Sequence, residues 1–227
     1  MHSELLIRDL SIGRGGALVH DINYHVKGGQ LIILTGANGT GKSTLLKTVA
    51  GIIPAIAGSI AINGALQSDL SAKQLSQMLA FVNTDRITDD YITVEDMVAF
   101  GRFPYSRRMW QDNENEKQVR DAMAIMKIEH LAGKYLNNIS DGEWQKANVC
   151  RALAQNTPLI LMDEPTAFLD YPSKLQFLAD LKKIAAEKDK IILVSTHDVE
   201  LASRYGTQFW QLAEGKCHIS DKPFAWQ

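Results

Sequence analysis

Leu31-Ile32-Ile33-Leu34-Thr35-Gly36-Ala37-Asn38-Gly39-Thr40-Gly41-Lys42-Ser43-Thr44 is the stretch from which the rest of the chain can be read. Its first four residues are apolar without alternation, the pattern of a strand buried on both faces. Gly36 to Ser43 fits G-x-x-x-x-G-K-[ST], a loop whose glycines let the backbone turn its N–H groups toward phosphate oxygens. The helix formers Leu45, Leu46 and Lys47 follow, and a helix start adds its positive end at the same place. On this reading Lys42 reaches the β- and γ-phosphates of a nucleotide and the Ser43 hydroxyl binds Mg²⁺, with Ala37, Asn38, Gly39, Thr40 and Thr44 completing the nucleotide-binding set. A chance match to such a loop arises in roughly 1% of chains of this length. The strand before it and the helix after it therefore carry the reading.

Three further apolar runs have strand length: Leu79–Val82, Leu159–Met162 and Ile191–Val194. Unbroken apolar strands separated by helical segments point to a parallel sheet covered by helices. Two of the runs end in chemistry. Leu159–Met162 leads into Asp163-Glu164, and Ile191–Val194 into Ser195-Thr196-His197. Two acids at the end of an apolar strand are costly unless something compensates them. Mg²⁺ at Asp163 would do so, and Glu164 would orient or deprotonate an attacking water. A lone histidine at a strand end is usually structural. In a parallel sheet, however, these ends share one edge with the glycine loop, where ligands bind, which favours a γ-phosphate contact for His197.

Around this core, Leu5–Ile7 and the alternation of Ile22, Tyr24 and Val26 read as exposed antiparallel strands. Ser71 with Gln74, Thr93 with Asp96, and Ser140 with Glu143 have the capping-box spacing of helix starts. Residues 114–127 place Val119, Met123 and Met126 on one helical face. The segment from about 85 to 140 reads as a helix-rich insert in a single α/β domain spanning 1–227.

The 227 residues suffice for one sizeable core. A 45% hydrophobic and 22% charged composition is ordinary for a globular protein, and the net charge of −2 provides no basic field for nucleic acid. The apolar runs are too short to span a bilayer, and Met1-His2-Ser3-Glu4 lacks a signal-peptide pattern. Cys150 and Cys217 form no disulfide or zinc spacing and read as reduced thiols.

The order of the glycine loop, Ile139-Ser140-Asp141-Gly142-Glu143, Asp163-Glu164-Pro165-Thr166-Ala167-Phe168-Leu169-Asp170 and Ser195-Thr196-His197 resembles the ATPase cassette of ABC transporters, over nearly the whole chain. The resemblance implies a P-loop NTPase with a RecA-like parallel sheet core, an N-terminal antiparallel β subdomain and an inserted α-helical subdomain. It implies ATP as substrate with Mg²⁺ and a dimer of ATPase subunits, either a homodimer or a pseudo-dimer. It further implies two membrane permease subunits, an extracytoplasmic substrate-binding protein acting indirectly, and a peripheral position on the cytoplasmic face of the inner membrane. Ser140 and Gly142, flanked by Asp141 and Glu143, would contact the γ-phosphate of ATP bound to the opposite subunit. Asp170 would communicate across the dimer.

Three positions depart from the family pattern. The signature, commonly L-S-G-G-Q, keeps Ser140 and Gly142 but adds charge at Asp141. Thr84 stands where a glutamine usually touches Mg²⁺, and its hydroxyl ligates directly or through water with a shorter reach. Arg14 stands where an aromatic residue usually stacks on adenine. Its guanidinium either stacks in the same way or is an ordinary surface arginine. Lys42, Ser43, Asp163, Glu164 and His197 are intact, so an active ATPase is expected.

Three other readings compete: the ATPase of another importer or of an exporter, a soluble ABC ATPase acting on ribosomes or DNA, and a regulatory nucleotide-binding subunit. Ser140 follows Lys42 too closely for the long coiled coil of the DNA-repair type, and translation factors of this kind usually carry two cassettes. For cargo, Ile92-Thr93-Val94-Glu95-Asp96-Met97-Val98 followed by Gly101-Arg102-Phe103-Pro104-Tyr105 is similar to a run in ATPases that import iron complexes (siderophores or haem) or cobalamin. There it lies where a coupling helix of the permease docks. Physically, Thr93 caps a helix, Gly101 ends it and Pro104 prevents its renewal. The chain also ends 30 residues after His197 (227 − 197), too soon for the regulatory domain of many sugar importers.

Overall fold

The four apolar runs are neighbouring strands of one six-stranded sheet in a computed structural model, which describes residues 2–86, 89–105 and 113–224. In chain order the strands are β1 (Glu4–Gly13), β2 (Ala17–Lys27), β3 (Gln30–Gly36), β4 (Ala57–Ile62), β5 (Ala65–Leu66), β6 (Leu79–Val82), β7 (Leu159–Asp163), β8 (Ile191–Ser195), β9 (Gln208–Ala213) and β10 (Lys216–Ser220). The helices are α1 (Lys42–Val49), α2 (Ala72–Met78), α3 (Val94–Ala99), α4 (Asn113–Met126), α5 (Asp141–Gln155), α6 (Tyr171–Glu187) and α7 (Val199–Ser203).

The large sheet has the order β10-β9-β3-β8-β7-β6. All its pairs are parallel except β10 with β9, which form an antiparallel edge. The lack of alternation in the runs has a direct cause, since each strand feeds two cores. Leu31, Ile33, Ile160, Met162, Ile192 and Val194 pack with α3 to α6. Ile32, Leu34, Leu159, Leu161, Ile191 and Leu193 pack with α1 and the second sheet. That second sheet, ordered β2-β1-β4-β5, is antiparallel throughout, as the alternation at Ile22, Tyr24 and Val26 implied. β9 escaped the sequence reading because Gln208 and Gln211 interrupt its apolar run, although Phe209, Trp210 and Leu212 are buried.

All three capping boxes form, at Ser71, Thr93 and Ser140. Between β6 and β7 the described chain is helical, with one isolated bridge from Thr93 to Tyr135. In α4 the buried face includes Val119, Met123 and Met126, as its spacing implied. Gly101 needs a different explanation from the one its sequence invited. The helix at Val94–Ala99 passes into a 3-10 turn at Phe100–Arg102, and Gly101 does not adopt a left-handed stop. A Cβ there would lie 2.1 Å from the Arg151 carbonyl oxygen, so the glycine permits the turn to touch α5. Arg102 is likewise buried. Its Nη1 donates to Ala154 O at 2.7 Å and Gln155 O at 3.3 Å, closing carbonyls that the end of α5 leaves open. Both cysteines are free; Cys150 is buried and donates to Ala122 O at 3.3 Å. Among the described residues no helix is long and apolar enough to cross a membrane.

Candidate active site

The parallel register sets the site. Leu34 and Asp163 both stand opposite Ser195 on β8. The loop after β3, the acids after β7 and the histidine after β8 therefore leave the sheet along one edge. The glycine loop turns through backbone that side chains avoid: φ is +149° at Gly36, +81° at Gly39 and +106° at Gly41. Gly41 is the N-cap of α1 and has no side chain with which to cap it. The first N–H groups of α1 thus remain open to an anion. Lys42 is buried, with its Nζ folded onto Gly36 O at 2.8 Å and Ala37 O at 3.1 Å. Burial lowers its pKa, while the negative charges of Glu164 and Asp163 push it back up. Thr40 closes the loop from within, its hydroxyl donating to Ala37 O at 2.9 Å. Ser43 and Thr44 lie half-buried in the first turn of α1, and Asn38 at the exposed tip.

Across the edge a small network organises the acids. Ser195, fully buried, donates from Oγ to Asp163 Oδ1 at 2.6 Å. The same Oγ accepts the backbone N–H of Glu164 at 2.9 Å. Glu164 adopts φ +49°, a left-handed conformation uncommon for a non-glycine residue, so Ser195 helps hold a strained position. The Glu164 carboxylate meets His197 Nε2. Behind them Lys174 pairs with Asp198 at 3.4 Å.

The donor set suits Mg²⁺ only as a partner of a nucleotide. Asp163 Oδ2 has no protein donor among the described residues, and Ser43 supplies a hydroxyl oxygen, both hard ligands. No group of three or more His, Cys, Asp or Glu among the described residues could hold an ion. Mg²⁺ commonly takes one or two protein ligands and completes its shell with phosphates and water. Thr84 leaves the same edge from β6, whose Val82 stands opposite Met162.

The signature segment stands at the start of α5. Ser140 caps the helix and is exposed. Its backbone N–H and hydroxyl both donate to Glu143 Oε2 at 2.8 Å, and these bonds hold the Glu143 carboxyl below its usual range. A Cβ on Gly142 would lie 3.5 Å from Leu169 and 3.6 Å from the Phe168 carbonyl oxygen, which places the turn beside the segment leading to Asp170. Asp170 caps α6, accepting the Ser173 N–H at 2.8 Å. Arg14 is exposed in the β1–β2 turn, with no hydrogen bond or ring contact among the described residues. The hairpin itself reaches the glycine loop: Ile12, Leu18 and Val19 lie within 3.7 Å of where a Gly41 Cβ would be.

The ABC transporter family profile matches residues 19–167. The chain belongs to the ABC transporter ATPases. It hydrolyses ATP, and its fold is that of the ATP-binding cassette. This cassette is 38% identical over 88% of its length to an uncharacterized ABC transporter ATP-binding protein of Methanocaldococcus jannaschii, covering 70% of that protein. It is 31% identical to the iron(3+)-hydroxamate import ATP-binding protein FhuC of Bacillus subtilis, over 94% of the chain and 80% of the relative. The cobalamin import ATP-binding protein BtuD of Halobacterium salinarum is 32% identical over 92% of the chain, which spans 52% of that protein. A bacterial ABC transporter cassette solved as a dimer superposes with a TM-score of 0.82 at 25% identity, over 98% of this chain and all of that one.

Sequence reading of this cassette missed three residues. In the sequence Ser195 is only part of a strand end, but in the fold it ties Asp163 to Glu164. Leu18, 43% exposed, lies beside the loop at Gly41. Arg86 reaches from the segment after β6 to the signature turn. Each contact joins residues distant in sequence, so no local pattern announced it.

Proposed function

We propose that this ATPase energises import of an iron complex, a siderophore or haem, or of cobalamin, from the cytoplasmic face of the inner membrane. The observation that carries the reading is its similarity, across nearly its full length, to ATP-binding proteins named for hydroxamate, petrobactin and cobalamin import. An open groove of about 470 Å³ supports a membrane partner. It lies between α2 and α5, with an apolar lining of Ala72, Phe100, Phe103 and Pro104 and a polar one of Lys73, Ser76, Arg151 and Gln155. Phe103 is 54% exposed there and stacks on Phe100 with ring centroids 5.2 Å apart, an apolar seat for a helix of a permease subunit. Arg102 faces inward, so docking falls to the aromatic residues around it. Two permease subunits and a substrate-binding protein outside the membrane complete the assembly, and nucleic acid has no part in it.

The reading makes each site a composite of two copies. The γ-phosphate replaces the Gly36 and Ala37 carbonyls as the partner of Lys42, and the N–H groups of the glycine loop and α1 hold the remaining phosphate oxygens. Arg14 and Leu18 flank the nucleoside from the β1–β2 hairpin. Ser43, Asp163 and Thr84 would hold Mg²⁺, which would supply positive charge beside the phosphates. Glu164 takes a proton from water as the water oxygen bonds to the γ-phosphorus and the bond to the β–γ bridging oxygen breaks, giving ADP and phosphate. His197 fixes the orientation of Glu164 and turns to the γ-phosphate once ATP is bound. Ser140 and Gly142 of the second copy close over that phosphate, and Asp170 lies beside the closing surface. Closure and reopening drive the permease.

Glu164→Gln tests the centre of this scheme. It should keep ATP binding, slow hydrolysis by roughly 10²–10⁴-fold and accumulate an ATP-locked dimer. Unchanged turnover would remove Glu164 from its role. A deletion strain tests the cargo. Full growth and uptake on haem, ferric siderophores and limiting cobalamin, with no redundant system, would overturn the cargo and leave the ATPase standing.

A further inference from the structure

The signature turn carries an acid in the place where a phosphate must be received. Asp141 is the first residue of α5, next to Ser140, and its side chain is 58% exposed. A carboxylate there suits the helix dipole but repels the anion that the same helix start would bind. Glu143, the other acid of this turn, is engaged by Ser140. Asp141 is engaged from outside the helix. Arg86, two residues beyond Thr84, places Nη1 on Asp141 Oδ1. Its Nη2 donates to Ile139 O at 3.0 Å and Leu136 O at 3.4 Å. One guanidinium thus balances the acid and fixes the backbone immediately before Ser140.

We propose that Arg86 is a positioning residue of the composite ATP site, pairing with Asp141 so that the signature turn accepts the γ-phosphate of the opposite copy. The pair also links that turn to the segment leaving β6, which carries Thr84. Farther along α5, β6 and the segment leaving it are held separately, by Arg151 Nη2 donating to Phe81 O at 2.9 Å and Asn148 Nδ2 donating to Asn83 O at 2.8 Å. These two bonds keep α5 docked when Arg86 is replaced, so the loss is confined to the turn. An exposed ion pair contributes little to stability. The role of Arg86 is therefore read in nucleotide-driven closure and not in folding.

The inference rests on the shared-site reading proposed above, and a double-mutant cycle in the full-length Glu164→Gln chain separates the two. The readout is the ATP concentration giving half-maximal dimer by light scattering. Arg86→Ala should raise it about tenfold. Asp141→Asn, which removes the charge and keeps the shape, should lower it. In the Asp141→Asn background Arg86→Ala should cost less than about threefold, and its own melting temperature should fall by less than ~4 °C. Equal costs of Arg86→Ala in both backgrounds, or a large melting loss without rescue, would overturn this inference alone. A Glu164→Gln parent that stays monomeric with ATP would overturn the shared site and this inference with it.

Discussion

Replacing Ser195 by Ala removes one oxygen that serves two acids. Its Oγ donates to Asp163 at 2.6 Å and receives the Glu164 N–H at 2.9 Å from a fully buried position. A hydrogen bond to a charged group contributes about 1.5–3 kcal/mol, and an N–H left without an acceptor costs about 1–3 kcal/mol. Both acids are only half-buried, so water recovers part of this and the lower ends apply. Together they give a loss of about 2.5 kcal/mol. For a domain of this size that corresponds to a melting temperature lower by about 5–10 °C. The chemical effect is separate. Glu164 sits at φ +49° and relaxes when its N–H is released. Misplacing a catalytic group by about 1 Å costs up to about 10²-fold in rate. Calorimetry and steady-state phosphate release on Ser195→Ala measure the two effects, and kcat should fall more than the affinity for ATP. Ser195→Thr distinguishes hydrogen bonding from packing, because it keeps the oxygen and adds a methyl group to a full core. It should lose stability by overpacking, about 1–3 kcal/mol, while retaining more kcat than Ser195→Ala. Wild-type kcat and melting temperature in Ser195→Ala would refute the argument.

Lys42→Ala removes the cation held between Gly36 O, Ala37 O and the acids, and should lose most ATP affinity in a direct binding assay. Normal affinity would contradict the cradle. Lys190 gives a pH signature. It is 5% exposed, donates to Asn156 Oδ1 and Thr157 O, and burial pulls its pKa down to about 8 from 10.5. The unfolded chain therefore binds more protons between pH 8 and 10.5, so stability rises with pH across that window. Below pH 8 the full penalty of a buried charge is present, about 3 kcal/mol. Urea unfolding of the wild type should gain stability relative to Lys190→Met from pH 8 to 10.5, and parallel pH profiles for the two proteins would show that folding leaves the Lys190 pKa unchanged.

The parts of the site that were legible in the sequence are those built from neighbours along the chain. The glycine loop needs positive φ at set positions, and its glycines stand at Gly36, Gly39 and Gly41. The capping boxes at Ser71, Thr93 and Ser140 join residues three apart, so their spacing alone announced them. The strand ends at Asp163 and Ser195 were legible because an apolar run stops there. Arg102 and Gly101 show where this logic fails. Their run has the composition of a docking segment with a helix stop, yet Arg102 turns inward to α5 and Gly101 makes room for Arg151. Nothing within five residues of either contains that information.

The sequence by itself determined the strand–glycine loop–helix, the helix starts and the identity of the acids, because each rests on backbone conformation and hydrogen bonds closed within one turn. Tertiary structure alone decided that Ser195 would hold Asp163 and Glu164 together and that Glu164 would meet His197. It also decided that Leu18 would lie against the loop and that Arg86 would cross 55 residues to Asp141. Those pairings depend on which strands lie side by side and in what register. That choice is made by the burial of two cores at once, a sum over the whole chain that no local stretch encodes.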